Sequence, residues 1–237
     1  MKEEKTKKKD DIKILFWNIA GLKNKLNEIN TFIKSFDIIG LIETWVEQKN
    51  WENVKKYLPA DWKWKYFPAS RMKKKGRAIG GIVTGVRREI LELQGEVINK
   101  QNIQERRVKL DGKTYRIMTI YSKADDEEDI WQILKEGIED WEEEAIMVGG
   151  DFNARIGDKG AWIKDFIEEE EQNKRSSKDR TFNLRGRKLL EECDEKGWHV
   201  LNGNTLGDEN GNFTYIGEKG ASVIDFVIGK DNALRDA

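Results

Sequence analysis

Residues 145–153 read AIMVGGDFN, an apolar run that ends in two glycines and is followed by Asp151 and Asn153. A short, wholly apolar run predicts a strand buried on both faces, as in a sheet covered by other layers. Glycine followed by Asp and Asn predicts a tight turn directly after that strand. The segment therefore predicts an α/β protein with polar residues gathered at a strand end, where a rigid sheet holds them in place.

The same alternation continues outward in both directions. Apolar, β-branched or alternating runs predict further strands at residues 12–18, 38–43, 79–86, 104–110, 114–121, 198–201, 213–216 and 222–228. Apolar residues at helical spacing predict helices within residues 22–36, 130–141 and 183–196. Because wholly apolar and alternating strands occur together, we expect mixed sheets. Periodicity alone leaves open whether two sheets pack face to face or one open sheet is doubly wound.

Length and composition favour one domain over residues 11–237 behind a flexible basic leader at residues 1–10. The chain has 237 residues, a net charge of -1 and a single cysteine, Cys193, so an internal disulfide is excluded and a reducing, intracellular compartment is expected. No apolar run approaches the ~20 residues of a membrane span. Residues 168–180 hold almost no apolar side chain and are predicted to form a long surface loop.

Polar residues recur where the predicted strands end. Asn18, Glu43 and Tyr121 each end a strand, as Asp151 does, and Asp225 lies inside the predicted strand SVIDFVI. Each residue alone has an ordinary explanation as a turn, cap or hydrogen-bonding residue, but a carboxylate within an apolar strand is costly unless it is paired or used. Five coincidences of this kind together predict an active site.

These residue types suit phosphodiester hydrolysis assisted by a hard cation. Glu43 and Asn18 offer the oxygen ligands that Mg²⁺ prefers, and Mg²⁺ keeps several waters, so one protein carboxylate can suffice. Asp151 could orient and deprotonate a water, and Asn153 could hold a phosphate oxygen. Tyr121 could donate a hydrogen bond to charge that develops on the phosphoryl group.

Other chemistries find little support in the sequence. The one histidine, His199, lies between apolar residues and is expected to be a strand or core residue. No Gly-x-Ser-x-Gly or Gly-x-Gly-x-x-Gly motif is present, and Cys193 lies on an apolar helix face, where packing is the ordinary role.

Taken together, WNIAGL, IETW, TIY, GGDFNARIG and SVIDFVI resemble, in this order, the endonuclease/exonuclease/phosphatase superfamily. With the segment GRAIGG, the spacing is most similar to the endonuclease domain of non-LTR (LINE-type) retrotransposons. The resemblance covers residues 11–230. It implies a four-layer α/β/β/α sandwich, in which two mixed sheets pack face to face with helices outside.

The resemblance also implies a role for each matched residue. Asn18 and Glu43 match the positions near a divalent metal, Mg²⁺ or alternatively Mn²⁺. Tyr121 matches the tyrosine that contacts the scissile phosphate, Asp151 the aspartate that activates water, and Asn153 the asparagine beside it. Asp225 matches the aspartate that orients a catalytic histidine, and Ser222 matches a small polar residue near the phosphate.

The implied biological role is to nick target DNA so that the free 3′-hydroxyl primes reverse transcription. DNA and a reverse-transcriptase domain in the full-length protein are then the expected partners, with no membrane, and the nucleus is the expected site of action. The resemblance leaves the oligomeric state open.

One departure from the family pattern is a missing Ser-Asp-His segment after the last matched strand. The chain reaches Ala237 without it, so we expect a C-terminally truncated domain that is weakly active or inactive alone. The alternatives are a non-catalytic relic or DNA-binding fragment, and a small-molecule phosphatase or phosphodiesterase of the same superfamily.

A basic cluster, RMKKKGR at residues 71–77, precedes the GRAIGG strand. Lysines and arginines in such clusters bind phosphates without reading sequence. Lys75 and Arg77 are therefore predicted DNA contacts, with a solvated loop as the alternative.

Overall fold

A computed structural model describes residues 12–71, 76–123, 130–137, 145–160, 175–230 and 233. The chain divides into two compact units, residues 1–119 with 236–237, and residues 120–235. The predicted leader at residues 1–10 lies outside the described residues.

The first unit contains a four-stranded sheet of β1 (Ile14–Asn18), β2 (Ile38–Ile42), β3 (Trp62–Phe67) and β4 (Ile82–Arg87). Its order is β1-β2-β4-β3, with β1 parallel to β2 and the other neighbours antiparallel, so the sheet is mixed. Two short helices, α1 (Leu26–Phe32) and α2 (Trp51–Lys55), lie in the connections. Strand β3 was not predicted, although its sequence WKWKYF alternates.

One face of this sheet packs against the helical connections. Leu41 on β2 and Val83 on β4 share a core with Ile29 of α1 and Val54 of α2, all nearly inaccessible to solvent. The residues predicted at helical spacing in 22–36 do form helix, broken into α1 and two flanking 3₁₀ turns at Leu22–Lys25 and Ile33–Ser35.

The opposite face packs on a second group of strands in the same unit. These are β5 (Leu91–Glu92), β6 (Asn99–Lys100), β7 (Ile103–Leu110) and β8 (Lys113–Tyr121). Gly40 of β2 lies so close to Thr119 of β8 that an added Cβ would come within 2.2 Å of its hydroxyl oxygen. The hydroxyl of Thr84 on β4 donates to Gln104 on β7 at 2.6 Å. Two sheets thus pack face to face within this unit.

Strand β7 buries charged groups on both of its faces, which the sequence pattern did not predict. Gln104, Glu105 and Arg106 are consecutive in β7 and all buried, although alternation predicted one exposed face there. The Arg106 guanidinium donates to Glu92 at 2.7 Å and to the Thr84 carbonyl at 3.0 Å, and Arg116 pairs with Glu105 at 2.6 Å. Each of these buried charges has an oppositely charged partner in place of the water that it loses on burial.

The second unit is built on β9 (Ala145–Asp151), β10 (Trp198–Val200) and β13 (Asp225–Lys230), antiparallel in the order β10-β13-β9. Helix α3 (Ile130–Gly137) and helix α4 (Leu184–Lys196) accompany them. A separate hairpin pairs β11 (Tyr215–Gly217) with β12 (Gly220–Ser222). Trp131 of α3 contacts Trp198 and Phe152 in the core of this unit. No helix among the described residues is long and apolar enough to cross a membrane.

Two predictions for this unit were wrong. Residues 222–228 are not one strand, because Ser222 ends β12 and Asp225 begins β13. Asp225 is thus at a strand end, like the other predicted site residues, and not inside a strand. The second concerns the predicted surface loop at residues 168–180, of which residues 168–174 lie outside the described residues. Residues 175–180 form no helix or strand, as predicted, but they are not all at the surface: Arg175, Ser177 and Asp179 are each less than 5% exposed. Arg175 and Ser177 donate to backbone carbonyls, and Asp179 accepts from the Arg155 guanidinium and from backbone amides. These bonds permit burial without apolar side chains.

Candidate active site

Three loops meet at the ends of β1, β2 and the start of β4 in the first unit. Asn18 is the last residue of β1 and Glu43 follows the last residue of β2; the two strands run parallel, with Asn18 paired to Ile42. The amide of Gly21 donates to the carbonyl of Glu43 at 2.9 Å, and the amide of Trp45 donates to the carbonyl of Gly80 at 3.0 Å. The loops are therefore held to one another by backbone bonds.

These loops also concentrate backbone strain. Ala20, Glu43 and Trp45 have φ angles of 47°, 52° and 57°, in the left-handed region that side chains other than glycine seldom adopt. Such conformations cost about 1–3 kcal/mol each and gather at functional sites, where surrounding structure holds them. Sequence reasoning placed Asn18 and Glu43 here but did not predict the strain.

Glu43 is buried, with 7% of the residue exposed, and its carboxylate is held by neutral donors. The indole nitrogen Nε1 of Trp45 donates to Oε2, and the amide of Gly80 donates to Oε1 at 3.2 Å. Within the described ranges no lysine, arginine or histidine lies within ion-pair distance of this carboxylate. A buried carboxylate normally has a cationic partner, so its environment suits a cation.

The oxygen atoms of Glu43 and Asn18 are the kind that hard divalent cations bind. The side-chain oxygen of Asn18 accepts from the amide of Ala20 at 3.2 Å, which orients it at the end of β1. No group of three or more His, Cys, Asp or Glu side chains within metal-binding reach occurs among the described residues. A site of one carboxylate and one amide agrees with Mg²⁺, which retains most of its waters.

The GGDFN turn holds the predicted Asp151 and Asn153 in the second unit. Asp151 is the last residue of β9, 4% exposed, and its Oδ1 accepts from the amide of Asn153 at 2.8 Å. Asn153 has a φ of 47°, and its Nδ2 donates to the carbonyl of Ser122 at 3.0 Å. Both side chains are thus oriented by backbone groups of the turn and of the segment after β8.

Asp225 lies directly opposite Asp151 in the antiparallel pair of β13 and β9. Burial, and next the negative charge of Asp151, raise the pKa of Asp225 to about 7, while a hydrogen bond from the Thr214 hydroxyl opposes the shift. This carboxyl therefore exchanges its proton near neutral pH. The role of Thr214 was not predicted from the sequence.

Sequence analysis missed one buried carboxylate, Asp179, which bonds to residues of two separate chain segments. Asp179 accepts from the guanidinium of Arg155 at 2.7 and 2.6 Å and from the amides of Thr181 and Val223 at 2.9 and 3.1 Å. Burial raises the pKa of Asp179, but the hydrogen bonds from Arg155 and these amides outweigh it and bring the pKa below its ordinary value. Asp179 thereby ties the segment after Asn153 to the segment before Asp225.

Helix α4 supports the same turn from its first residues. Asn183 caps the helix by accepting from the amide of Gly186 at 2.8 Å, and it also accepts from the amide of Arg155 at 3.2 Å. Arg185 donates to the carbonyls of Phe152 and Lys123 at 3.0 and 2.8 Å. The sequence predicted a helix within residues 183–196, but not the contacts of its first residues to the GGDFN turn.

The remaining predicted residues have various surroundings. Tyr121 ends β8 half-buried, with the Lys123 ammonium 5.5 Å from its ring centre, and Ser222 ends β12 half-buried. Arg77 is exposed, and its guanidinium lies 4.1 Å from the ring centre of Trp45. Lys75 lies outside the described residues.

His199 is a strand residue of β10, as expected. Burial raises the pKa of the Cys193 thiol to about 12, which agrees with a packing role.

Comparison with known proteins assigns the class. Residues 15–236 match the endonuclease/exonuclease/phosphatase family, and the chain belongs to this family. It is also 28% identical over 149 residues to a probable RNA-directed DNA polymerase from transposon BS of Drosophila melanogaster. That match covers 61% of this chain and 15% of the length of the Drosophila protein.

Solved structures share the fold at low sequence identity. The endonuclease domain of TRAS1, a telomere-specific non-LTR retrotransposon, has a TM-score of 0.59 at 16% identity, covering 93% of this chain and 85% of that domain. An AP endonuclease, LMAP, from Leishmania major has a TM-score of 0.66 at 11% identity, covering 93% of this chain and 79% of that one. The predicted family and the α/β fold class with mixed sheets are thereby confirmed.

Proposed function

We propose that this protein is a divalent-metal-dependent DNA endonuclease of a non-LTR retrotransposon. The observation that carries the proposal is the carboxylate of the buried Glu43. It lies on a strained backbone and is held by two neutral N–H donors, with no described cation within ion-pair distance. The similarity to a transposon polymerase and to the TRAS1 endonuclease domain supports the retrotransposon assignment.

Glu43 and Asn18 would hold the cation. A bound Mg²⁺ or Mn²⁺ supplies Lewis-acid stabilisation of charge on the phosphoryl oxygens. The backbone bonds of the three loops keep the Glu43 and Asn18 oxygens in place before the cation binds, so little ordering remains to be done on binding.

Asp151 would accept the proton of the attacking water. The Asn153 amide fixes its Oδ1 at 2.8 Å, and a carboxylate retains further acceptor sites for a water. Asn153 would donate to a phosphate oxygen and Tyr121 to developing charge, as oriented donors do. Asp225, with its pKa near neutrality, would hold or release a proton beside Asp151. Ser222 and Lys75 remain predicted contacts for DNA.

The proposed substrate is duplex DNA, nicked to give a primer for reverse transcription. A protein of this kind acts in the nucleus and joins its endonuclease to a reverse-transcriptase domain in one polypeptide. The similarity to a probable RNA-directed DNA polymerase of Drosophila melanogaster supports that partner.

A plasmid-nicking assay tests the proposal. We expect residues 1–237 to convert supercoiled plasmid to open circle in Mg²⁺ and to stop doing so in EDTA. Asp151→Ala should lower the rate by about 10²-fold or more, since loss of a general base typically costs 10²–10⁴-fold. Asp158→Ala, which removes an exposed aspartate that pairs with the exposed Arg180, is the matched control and should leave the rate unchanged.

Nicking that persists in EDTA or in Asp151→Ala would contradict the proposal. Turnover of phosphorylated lipids or nucleotides without plasmid nicking would support the small-molecule alternative. Binding of DNA with no Mg²⁺-dependent turnover would support the non-catalytic alternative.

A further inference from the structure

Trp45 adopts a backbone conformation that large side chains avoid. Its φ of 57° lies in the left-handed region, and its neighbour two residues earlier, Glu43, has a φ of 52°. Bonds from the amides of Thr44 and Trp45 to the carbonyls of Gly81 and Gly80, at 3.2 and 3.0 Å, hold this conformation. Strain of this kind persists where the surrounding structure enforces it, and it is commonest at functional sites.

Room for the indole is made at the neighbouring loop. A Cβ added to the buried Gly21 would lie 2.6 Å from atoms of the Trp45 ring, closer than any real contact. The exposed Arg77 guanidinium lies 4.1 Å from the ring centre, within cation–π range. The ring is therefore fixed by a glycine without a side chain and by a stacked guanidinium.

The polar edge of the indole points at the candidate metal carboxylate. Nε1 donates to Oε2 of Glu43, while the amide of Gly80 donates to Oε1 at 3.2 Å. Each carboxylate oxygen is thus held by one N–H group, and acceptor sites remain on both. A phenylalanine or leucine would pack in the same space, so packing alone does not require the N–H group.

We propose that Trp45 is a positioning residue, which orients the Glu43 carboxylate for a divalent cation through its indole N–H, with Arg77 holding the ring. The inference rests on the proposed function, in which Glu43 binds the cation. Groups that hold a metal-binding side chain typically affect metal affinity 10- to 100-fold. The effect is expected on cation binding and not on folding.

The test measures Mn²⁺ affinity by electron paramagnetic resonance of the free ion, with thermal unfolding of each variant measured in EDTA. Trp45→Phe keeps an aromatic face for Arg77 but removes the N–H donor, and Trp45→Tyr repeats the change with a second ring. The matched control is Trp64→Phe, which removes the indole bond from Trp64 to the Pro59 carbonyl, 2.8 Å long, away from Glu43. Glu43→Gln measures the contribution of the carboxylate itself.

We expect Trp45→Phe and Trp45→Tyr to weaken Mn²⁺ binding about 10-fold, Trp64→Phe to leave it within about 2-fold, and all three to keep similar midpoints of thermal unfolding. In a Glu43→Gln background, Trp45→Phe should change the affinity less than about 2-fold, because interacting residues are not additive.

Wild-type affinity in both Trp45 variants would overturn the inference, as would an equal loss in the Glu43→Gln background, which would show that Trp45 acts elsewhere. Unchanged affinity in Glu43→Gln alone would instead overturn the proposed metal role of Glu43, and the inference with it.

Discussion

At the scale of single residues, the second unit places two carboxyl groups face to face. Asp151 and Asp225 are register partners on antiparallel strands, and burial together with the charge of Asp151 raises the pKa of Asp225 to about 7. Because the native pKa lies above the unfolded one, the native state binds more protons between about pH 4 and pH 7. This carboxyl therefore makes folding less favourable as pH rises through that window.

We predict that Asp225→Asn removes this pH dependence. A pKa shift from 3.8 to about 7 corresponds, by linkage, to a change of at most about 4 kcal/mol in the free energy of unfolding. Because the native state relaxes around the charge, we expect about 1–3 kcal/mol. The free energy of unfolding of the variant minus that of wild type should therefore increase by this amount from pH 4.5 to pH 8, measured with urea.

The exposed Asp194 on α4 provides the control for this measurement. Asp194→Asn should show a difference from wild type that is nearly constant over the same pH range. A constant difference for Asp225→Asn as well would show that Asp225 titrates as an ordinary aspartate.

Residues at strand ends could be predicted from the sequence because a strand and its polar end are contiguous. Glu43 and Asp151 follow apolar runs directly, and the structure places both at strand ends. Asp179 could not be predicted, since its partners Arg155 and Val223 lie 24 and 44 residues away in the chain. Long-range bonds of this kind leave no local pattern, and residues 168–180 therefore resembled a surface loop.

At the scale of elements, the GGDFN turn depends on Gly150. Its φ is 141°, and an added Cβ would come within 2.0 Å of the carbonyl oxygen of Ile120. Gly112, in the turn between β7 and β8, has a φ of 85° and no atom within 4 Å of an added Cβ. The two glycines share a positive φ but differ in the space around them.

We predict that Gly150→Ala lowers the free energy of unfolding by about 3 kcal/mol or more, because backbone must move to admit the methyl group. Gly112→Ala should cost only about 1–2 kcal/mol, which is the backbone strain alone. Chemical denaturation of both variants measures the difference. Equal losses of unfolding free energy in the two variants would mean that the backbone at Ile120 moves away from the added methyl group at no cost.

Element types were predicted well where the apolar period was strong and poorly where packing decided the pattern. The run AIMVGG did form the buried strand β9. Strand β7 was expected to alternate, yet Glu105 and Arg106 are both buried, because Arg116 pairs with the first and Glu92 with the second. Charged side chains that find partners can occupy positions that hydrophobicity assigns to solvent.

At the scale of the whole molecule, the proposed DNA binding depends on local charge, since 43 basic and 44 acidic residues nearly cancel. Arg77 is exposed and held on Trp45, so it can present its charge to a phosphate. We predict that Arg77→Gln weakens duplex binding and lowers the slope of log Kd against log salt by about 1, the amount for one phosphate contact. Fluorescence anisotropy in EDTA measures the slope on uncut DNA.

Lys56, exposed at the end of α2, gives a control of equal charge change. Lys56→Gln should leave the slope as in wild type. A slope that is also unchanged in Arg77→Gln would leave Arg77 as a solvated side chain that only covers the indole.

The loops after β1 and β2 and before β4 are joined by main-chain bonds, including Gly21 to Glu43 and Trp45 to Gly80. Their shape therefore depends little on which side chains they carry, apart from those in the left-handed region, where Asn, Asp and Gly are best tolerated. For protein engineering, this means that most side chains of these loops can be substituted without changing the loop conformation. We expect Ala20, with a φ of 47°, to accept only Asn, Asp or Gly without strain, whereas Arg77 accepts varied side chains with the loop backbone unchanged.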